Sequence, residues 1–149
     1  MNKNINLLYK KKKLEVGYNF IISSKNSNLK LLEFGSIALP EGKTYQSETK
    51  GNEEVLDIFS GICNIEIESS IDKDIIFKNL GGRKDVFSGK PVSIYIPYKS
   101  RYTVKCISGK LDIGVFKAIS RRDTPIKLIN QNDVEVKYVG KLNWTRKVI

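Results

Sequence analysis

The sequence contains no histidine among its 149 residues, and it has only two cysteines and one tryptophan. Histidine is the commonest metal ligand and the usual general base near neutral pH, so its absence excludes imidazole-based metal sites and catalytic triads. Two cysteines, Cys63 and Cys106, are too few for a disulfide framework. We expect both to be small buried hydrophobic residues, because neither has a histidine that would favour its thiolate.

Long apolar runs are also missing. No stretch approaches the roughly 20 apolar residues that a membrane-spanning helix needs. The N-terminal residues are charged (MNKNINLLYKKKK) but offer neither an adequate apolar stretch nor a small-residue cleavage site, so they predict no signal peptide. We therefore expect a cytoplasmic protein that does not engage a membrane.

Positive charge is in excess, with a formal net charge of +10 at pH 7. Such an excess raises the question of nucleic-acid binding, and the run Lys10–Lys13 is its best local support. Against that interpretation, the other lysines are spread along the whole chain, and no recognition helix or RNA-binding aromatic motif is visible. We interpret the lysines as a solvated surface and keep a basic nucleic-acid-binding barrel only as the weakest alternative.

What the sequence does contain is alternation of apolar and polar residues with a period of two, which is typical of half-buried strands. Strands are predicted at residues 55–61, 62–69, 74–77, 92–97, 102–108 and 111–116. The segments between them carry turn signals: LPEGK, FSG, NLGGRKD, FSGKP, PYKS and ISGK. No segment predicts a long helix. The spacing of the turns predicts one all-β domain, a closed or nearly closed antiparallel sheet.

The last quarter of the chain follows a different pattern. A loop, a short extended piece, a turn at the sequence NQND and a further strand lead to an apolar ending at Val148-Ile149. Domains more often finish in polar, frayed residues. We therefore expect this sequence to be continued by something else, either in a longer protein or in a partner.

Several motifs together resemble a known family. They are Gly81-Gly82-Arg83, Val86-Phe87, Gly89-Lys90-Pro91, the strand into Pro97, and Tyr102-Thr103-Val104, flanked by Ala38–Thr49 and Leu142–Ile149. In this order they are similar to the N-terminal half of the 5-deoxy-glucuronate isomerases of inositol catabolism, which are two-cupin proteins related to the 5-keto-4-deoxyuronate isomerases. The resemblance covers nearly the whole chain from about Leu31.

The resemblance implies a cupin fold, a small antiparallel β-barrel or jelly roll, with residues 31–140 as its core. Residues 141–149, including Asn143–Arg146, would begin a connector to a second cupin. In the family that second cupin holds the metal, through histidines and one glutamate. The resemblance therefore implies that this half carries no metal and no cofactor.

Three residues are candidates for contact with a ligand. Glu54 and Gly61 fit the glutamate–glycine spacing of the general cupin metal pattern, and Tyr102 stands where the later histidine of that pattern would fall. One carboxylate without imidazole or thiolate is a poor transition-metal site, so we expect Glu54 to be a carboxylate on a rim or turn. Tyr102 is expected to be a core tyrosine whose hydroxyl reaches the mouth of the barrel.

Arg83 is the best candidate for contact with an anion, because a guanidinium pairs with carboxylates in a bidentate way. Its ligand would be the carboxylate of an acidic sugar. The structural alternative is an arginine that ties its loop to Asp85 or to a neighbouring carbonyl. No residue of the chain is predicted to be catalytic.

The first hypothesis for function is thus a metal-free cupin half that has a structural role, by self-association or by packing against a catalytic cupin. Alone it would not isomerise a sugar acid. The second hypothesis is a stand-alone metal-free cupin that binds an acidic sugar or acts in regulation.

Overall fold

The computed structural model describes residues 13–149. The signal-peptide prediction and most of the Lys10–Lys13 run lie outside that range. The described strands are β1 Gly17–Ile22, β2 Leu32–Leu39, β3 Thr44–Glu48, β4 Asn52–Ser69, β5 Ile75–Gly81, β6 Ser93–Ile96, β7 Ser100–Ile119, β8 Lys127–Ile129, β9 Lys137–Val139 and β10 Arg146–Val148. Two short 3₁₀ turns, Gln131–Asp133 and Leu142–Trp144, are the helical segments of this part of the chain. The all-β prediction is confirmed.

Two long strands, β4 and β7, organise the fold by pairing with each other antiparallel along most of their length. The first half of β4 also pairs with β6, and its second half pairs with β5. Similarly, the first half of β7 pairs with β3, and its second half pairs with β2. Strands β1 and β8 extend the sheet at its two edges. The two long strands therefore belong to both layers of a jelly roll, although the hydrogen-bonded path does not close into a ring.

The layers meet where β4 and β7 are irregular. Gly61 has a φ of +81°, and the pairing register places three residues of β7, from Gly109 to Leu111, opposite it. A β-bulge of this kind bends a strand and increases its twist. The turns that the sequence predicted at FSG and ISGK are therefore wrong, because the backbone continues through each as one bulged strand.

The core lies between the two layers and consists mainly of branched aliphatic side chains. Residues two apart in a strand point to the same face, so each inner row is regular. Cys63 and Cys106 face each other across the β4–β7 pair, and both are buried free thiols, as predicted. Burial raises the pKa of the Cys63 thiol to about 12. The other buried apolar residues are Ile37, Ala38, Leu39, Leu56, Ile58, Ile65, Ile67, Val92, Ile94, Ile96, Tyr102, Val104, Leu111, Ile113 and Val115.

The first strand lies before the predicted core, and the last two strands lie apart from the main sheet. Strand β1 pairs with β2 and so adds residues before Leu31, where the sequence placed the start of the core. Strands β9 and β10 form a separate two-stranded sheet, and each of their residues is exposed. Within residues 13–149, no helix has the length and apolar character that a membrane crossing requires.

Candidate functional site

Polar side chains occupy one end of the otherwise apolar interior. On β4, Glu54 points inward with Leu56, and on β7, Lys117 continues the inward row of Val115. The register of the sheet places Lys117 directly opposite Glu54 on one side and opposite Glu33 of β2 on the other. Three neighbouring strands thus place Glu33, Lys117 and Glu54 side by side, and Lys117 forms its ion pair with Glu54.

Glu54 lies at the centre of this arrangement and is only 1% exposed. Its Oε2 accepts a 2.8 Å hydrogen bond from the hydroxyl of Tyr102, and its Oε1 lies 3.2 Å from Nζ of Lys117. No donor among residues 13–149 forms a hydrogen bond of good geometry with Oε1, so the ion pair alone compensates that oxygen. A buried carboxylate without its counter-ion is strongly destabilising, and this one depends on both partners.

Tyr18 connects the ion pair to the second carboxylate. Nζ of Lys117 lies 4.6 Å from the centroid of the Tyr18 ring, and the hydroxyl of Tyr18 donates a 3.0 Å hydrogen bond to Glu33. The ring lies against Gly35, where any Cβ would overlap it, and it stacks on Tyr45 with centroids 6.4 Å apart. The inner polar cluster is defined as Tyr18, Glu33, Glu54, Tyr102 and Lys117.

Both tyrosines of the cluster are held in the protonated form. Burial raises the pKa of Tyr102 far above its ordinary value, and the Glu54 carboxylate raises it further. Burial likewise raises the pKa of Tyr18, with Glu33 adding to the effect. A general base works best when its pKa lies near the operating pH, and these phenols do not meet that condition. They donate hydrogen bonds to the carboxylates and so hold the cluster in place.

The side chains of the cluster do not fit a divalent metal ion. Protein sites for such ions use three or more imidazole, thiolate or carboxylate ligands, and within residues 13–149 no three such groups converge. Around Glu54 the neighbours are a phenol and an ammonium, and the positive charge of Lys117 opposes a second cation. Ser47, opposite Tyr102 on β3, adds a hydroxyl and no metal-binding imidazole.

Arg83 serves the structure on the outer side of the sheet. Its Nε donates a 2.9 Å hydrogen bond to the carbonyl of Ile58, and its guanidinium lies 3.3 Å from a carboxylate oxygen of Asp57. The arginine side chain is only 7% exposed. The structural alternative, a tie to Asp85 or to a neighbouring carbonyl, is confirmed through the carbonyl of Ile58. The carboxylate that pairs with Arg83 is Asp57 of β4.

The remaining candidates stand as follows. Glu54 does not lie in a turn, because it is the third residue of strand β4, points inward and is 1% exposed. Tyr102 is a core residue, as predicted. Contact of Arg83, Glu54 or Tyr102 with a ligand stays a prediction. Sequence reasoning missed Lys117 and Tyr18, although the alternation from Leu111 onward would have placed Lys117 on the inner face.

A cleft of about 170 Å³ reaches the inner polar cluster from outside. Glu33 and Lys117 belong to both, and Lys25 and Lys30 add two exposed cations to its wall. The remaining lining residues are Ser23, Ser24, Leu31, Leu32, Asn52, Ala118 and Ile119. This cleft therefore offers positive charge and hydrogen-bonding groups close to the buried ion pair.

Comparison with known proteins places this geometry in a family context. The model of the KduI/IolB family matches residues 7–149. A 5-deoxy-glucuronate isomerase from Halalkalibacterium halodurans is 27% identical over 128 residues, which are 85% of this chain and 45% of that protein. The chain spans about half the length of the curated relatives it matches.

Solved structures show the same fold. An IolB-like protein from Salmonella typhimurium LT2 superposes with a TM-score of 0.80 at 22% identity, over 94% of this chain and 51% of that one. An RmlC-like cupin with a double-stranded β-helix fold from Methanocaldococcus jannaschii superposes with a TM-score of 0.51 at 16% identity, over 75% of this chain and 89% of that one. The predicted cupin fold is confirmed.

Proposed function

The chain belongs to the KduI/IolB family, and on that premise we propose that it is the non-catalytic, metal-free half of a sugar-acid isomerase of the 5-deoxy-glucuronate isomerase type. It corresponds to the N-terminal cupin, and it supports a catalytic cupin in the same polypeptide or in a separate one. It holds no cofactor of its own. Its place is the cytoplasm, where its two buried thiols stay reduced.

The inner polar cluster is the observation that carries the proposal. The cupin metal pattern that this sequence resembles uses histidines and one glutamate as ligands. Here the one carboxylate that matches the pattern, Glu54, is bound by Tyr102 and Lys117. The cluster is complete in itself, which supports a stabilising role for this half.

The chemistry of isomerisation supports the same conclusion. Interconversion of an aldose and a ketose moves a proton between adjacent carbons and stabilises an enediolate. A base with a pKa near neutrality and a strong electrophile are required. The phenols of the cluster stay protonated, and the charge of Lys117 is balanced by Glu54 at 3.2 Å. Neither the phenols nor the paired ammonium of the cluster therefore supplies such a base or electrophile.

Restoration of activity by a second half tests the proposal. The chain would be purified alone and also co-expressed with the part of the Halalkalibacterium halodurans isomerase that it does not match. We expect no turnover of 5-deoxy-glucuronate by the chain alone and measurable turnover by the complex. Turnover by the chain alone at the rate of the intact relative would overturn the proposal.

A second candidate function is binding of an acidic sugar, and the 170 Å³ cleft favours it. The exposed Lys25 and Lys30 would face the carboxylate, and Asn52 and Glu33 would bind hydroxyl groups. The site differs from the one expected around Arg83, whose guanidinium is paired with Asp57.

Thermal unfolding with glucuronate and with uncharged glucose distinguishes this second function. Stabilisation by glucuronate alone, lost in Lys25→Ala/Lys30→Ala but kept in the control Lys78→Ala, would support it. Equal curves with both sugars would refute it.

A further inference from the structure

The β9–β10 hairpin, residues 137–149, exposes a concentration of large apolar side chains. Every residue of it is exposed, and within the described part of the chain its strands pair only with each other. Exposed apolar clusters of this kind mark interaction sites, and Trp and Tyr dominate the binding energy of interfaces. The side chains concerned, 42% to 92% exposed, are Tyr138, Val139, Leu142, Trp144, Val148 and Ile149.

The tip of the hairpin has a defined shape. Gly140 has a φ of +102°, and a Cβ there would overlap the backbone of Trp144. Leu142 adopts a φ of +51°, an uncommon conformation for a leucine, while it is 92% exposed. The hydroxyl of Thr145 donates a 2.9 Å hydrogen bond to the carbonyl of Leu142. These contacts present Leu142 and Trp144 together on one turn, which lowers the ordering cost of binding.

The charges around this turn select the kind of partner. Lys141, Arg146 and Lys147 lie on the hairpin, and its one further lysine, Lys137, is paired with Glu135 at 3.0 Å. Two copies of the chain would bring these like charges together, in a protein whose net charge is already +10. A partner with acidic residues around an apolar pocket would complement both features.

We propose that the β9–β10 hairpin inserts Leu142 and Trp144 into an apolar pocket with an acidic rim on the second cupin half. This inference rests on the proposed function and names the surface through which the two halves meet. The relatives supply such a half in their own length, of which this chain covers 45% to 51%.

Trp144 is the single tryptophan of the chain and reports directly on this contact. The chain would be co-expressed with the part of the Halalkalibacterium halodurans isomerase that it does not match. In that partner every tryptophan would be replaced by phenylalanine, so that Trp144 alone is observed. The complex would be purified through a tag on the partner. We expect the emission of Trp144 to shift to shorter wavelength in the complex and its quenching by acrylamide to fall. Leu142→Ser should weaken the complex at least tenfold, and Phe87→Ser, which removes an equally exposed apolar side chain elsewhere, should not.

Each other outcome overturns the proposal in a distinguishable way. A complex that forms without a change in Trp144 emission, and that Leu142→Ser leaves intact, would move the interface elsewhere while the proposed function stands. Self-association that buries Trp144 without the partner would identify a second copy as the occupant. Absence of both a complex and self-association would refute the docking surface and also the scaffold function.

Discussion

The inner polar cluster and the β9–β10 hairpin differ in where their polar and apolar groups lie. Inside the fold, Glu54 is 1% exposed and Lys117 is 15% exposed, and their charged groups lie 3.2 Å apart. On the hairpin, Leu142 and Trp144 lie in water with nothing from residues 13–136 covering them. The charged groups of the first region have partners within this chain, whereas the apolar side chains of the second are exposed. This difference is the basis of the proposed docking surface on the hairpin.

Breaking the buried ion pair should give the largest effect on stability. Glu54→Leu leaves the ammonium of Lys117, whose side chain is 15% exposed, without its counter-ion. We expect a loss of about 3–5 kcal/mol of unfolding free energy by urea denaturation. The double variant Glu54→Leu/Lys117→Met should recover most of that loss, because no charge is left buried. A loss in the double variant equal to the sum of the two single losses would show that the pair is not coupled.

Removing one hydroxyl from the cluster should cost less. Tyr102→Phe deletes the 2.8 Å hydrogen bond to the Glu54 carboxylate, and we expect a loss of about 1.5–3 kcal/mol at pH 7. Urea titration measures it. No loss of unfolding free energy would mean that Ser47 or another donor replaces the Tyr102 hydroxyl as hydrogen-bond donor to Glu54. That result would contradict the assigned role of Tyr102.

Tyr102→Phe should also change how the unfolding free energy depends on pH. The pKa of Tyr102 is raised in the folded state, so this group contributes stability that is fully present below its unfolded pKa of about 10 and is lost as the pH rises further. Unfolding followed between pH 9 and pH 12 should show a steep decline in the native protein. Tyr102→Phe should give a shallower decline, and parallel curves would contradict the assignment.

Displacing the Tyr18 ring tests the outer part of the cluster. Gly35→Ala adds a Cβ that overlaps that ring, so we expect a loss of about 1–3 kcal/mol from forced repacking. In a Tyr18→Ala background the same substitution should cost little. Thermal and urea unfolding of the four proteins measures the coupling, and additivity would mean that the two residues do not meet.

The hairpin should give the smallest effect. Leu142→Ser and Trp144→Ala remove exposed side chains, so the unfolding free energy of the isolated chain should stay within about 0.5 kcal/mol. A loss of several kcal/mol would show that the hairpin packs on its own domain, and the contrast with the inner polar cluster would disappear.

The sequence predicts where the core strands lie better than it predicts that β4 and β7 each continue as one long strand. Alternation identifies the inner rows around Cys63 and Val104, but glycine was interpreted as ending a strand. Gly61 and Gly109 have positive φ, which serves a bulge as well as a turn, and only the long-range pairing of β4 with β7 distinguishes the two. Strand β3, with the sequence TYQSE, lacks an apolar row and gives almost no signal.

The candidate site was only partly predictable for the same reason: its contacts join residues far apart in the sequence. Glu54 was found through its spacing to Gly61, yet its burial depends on Tyr102 and Lys117, which lie 48 and 63 positions further along the chain. A charged residue on an inner row looks like an exposed one until its partner is known. For Arg83, the nearby Asp85 was the obvious partner, whereas the fold brings Asp57 from β4.

The measurement that tests the central claim most directly is calorimetric titration of the purified chain with Mn²⁺ and with Zn²⁺. We predict no stoichiometric binding of either ion, because the ammonium of Lys117 opposes a second cation and Tyr102 already donates to one oxygen of Glu54. One equivalent of metal bound tightly, and lost in Glu54→Gln, would contradict it and would make this half a metal-binding cupin.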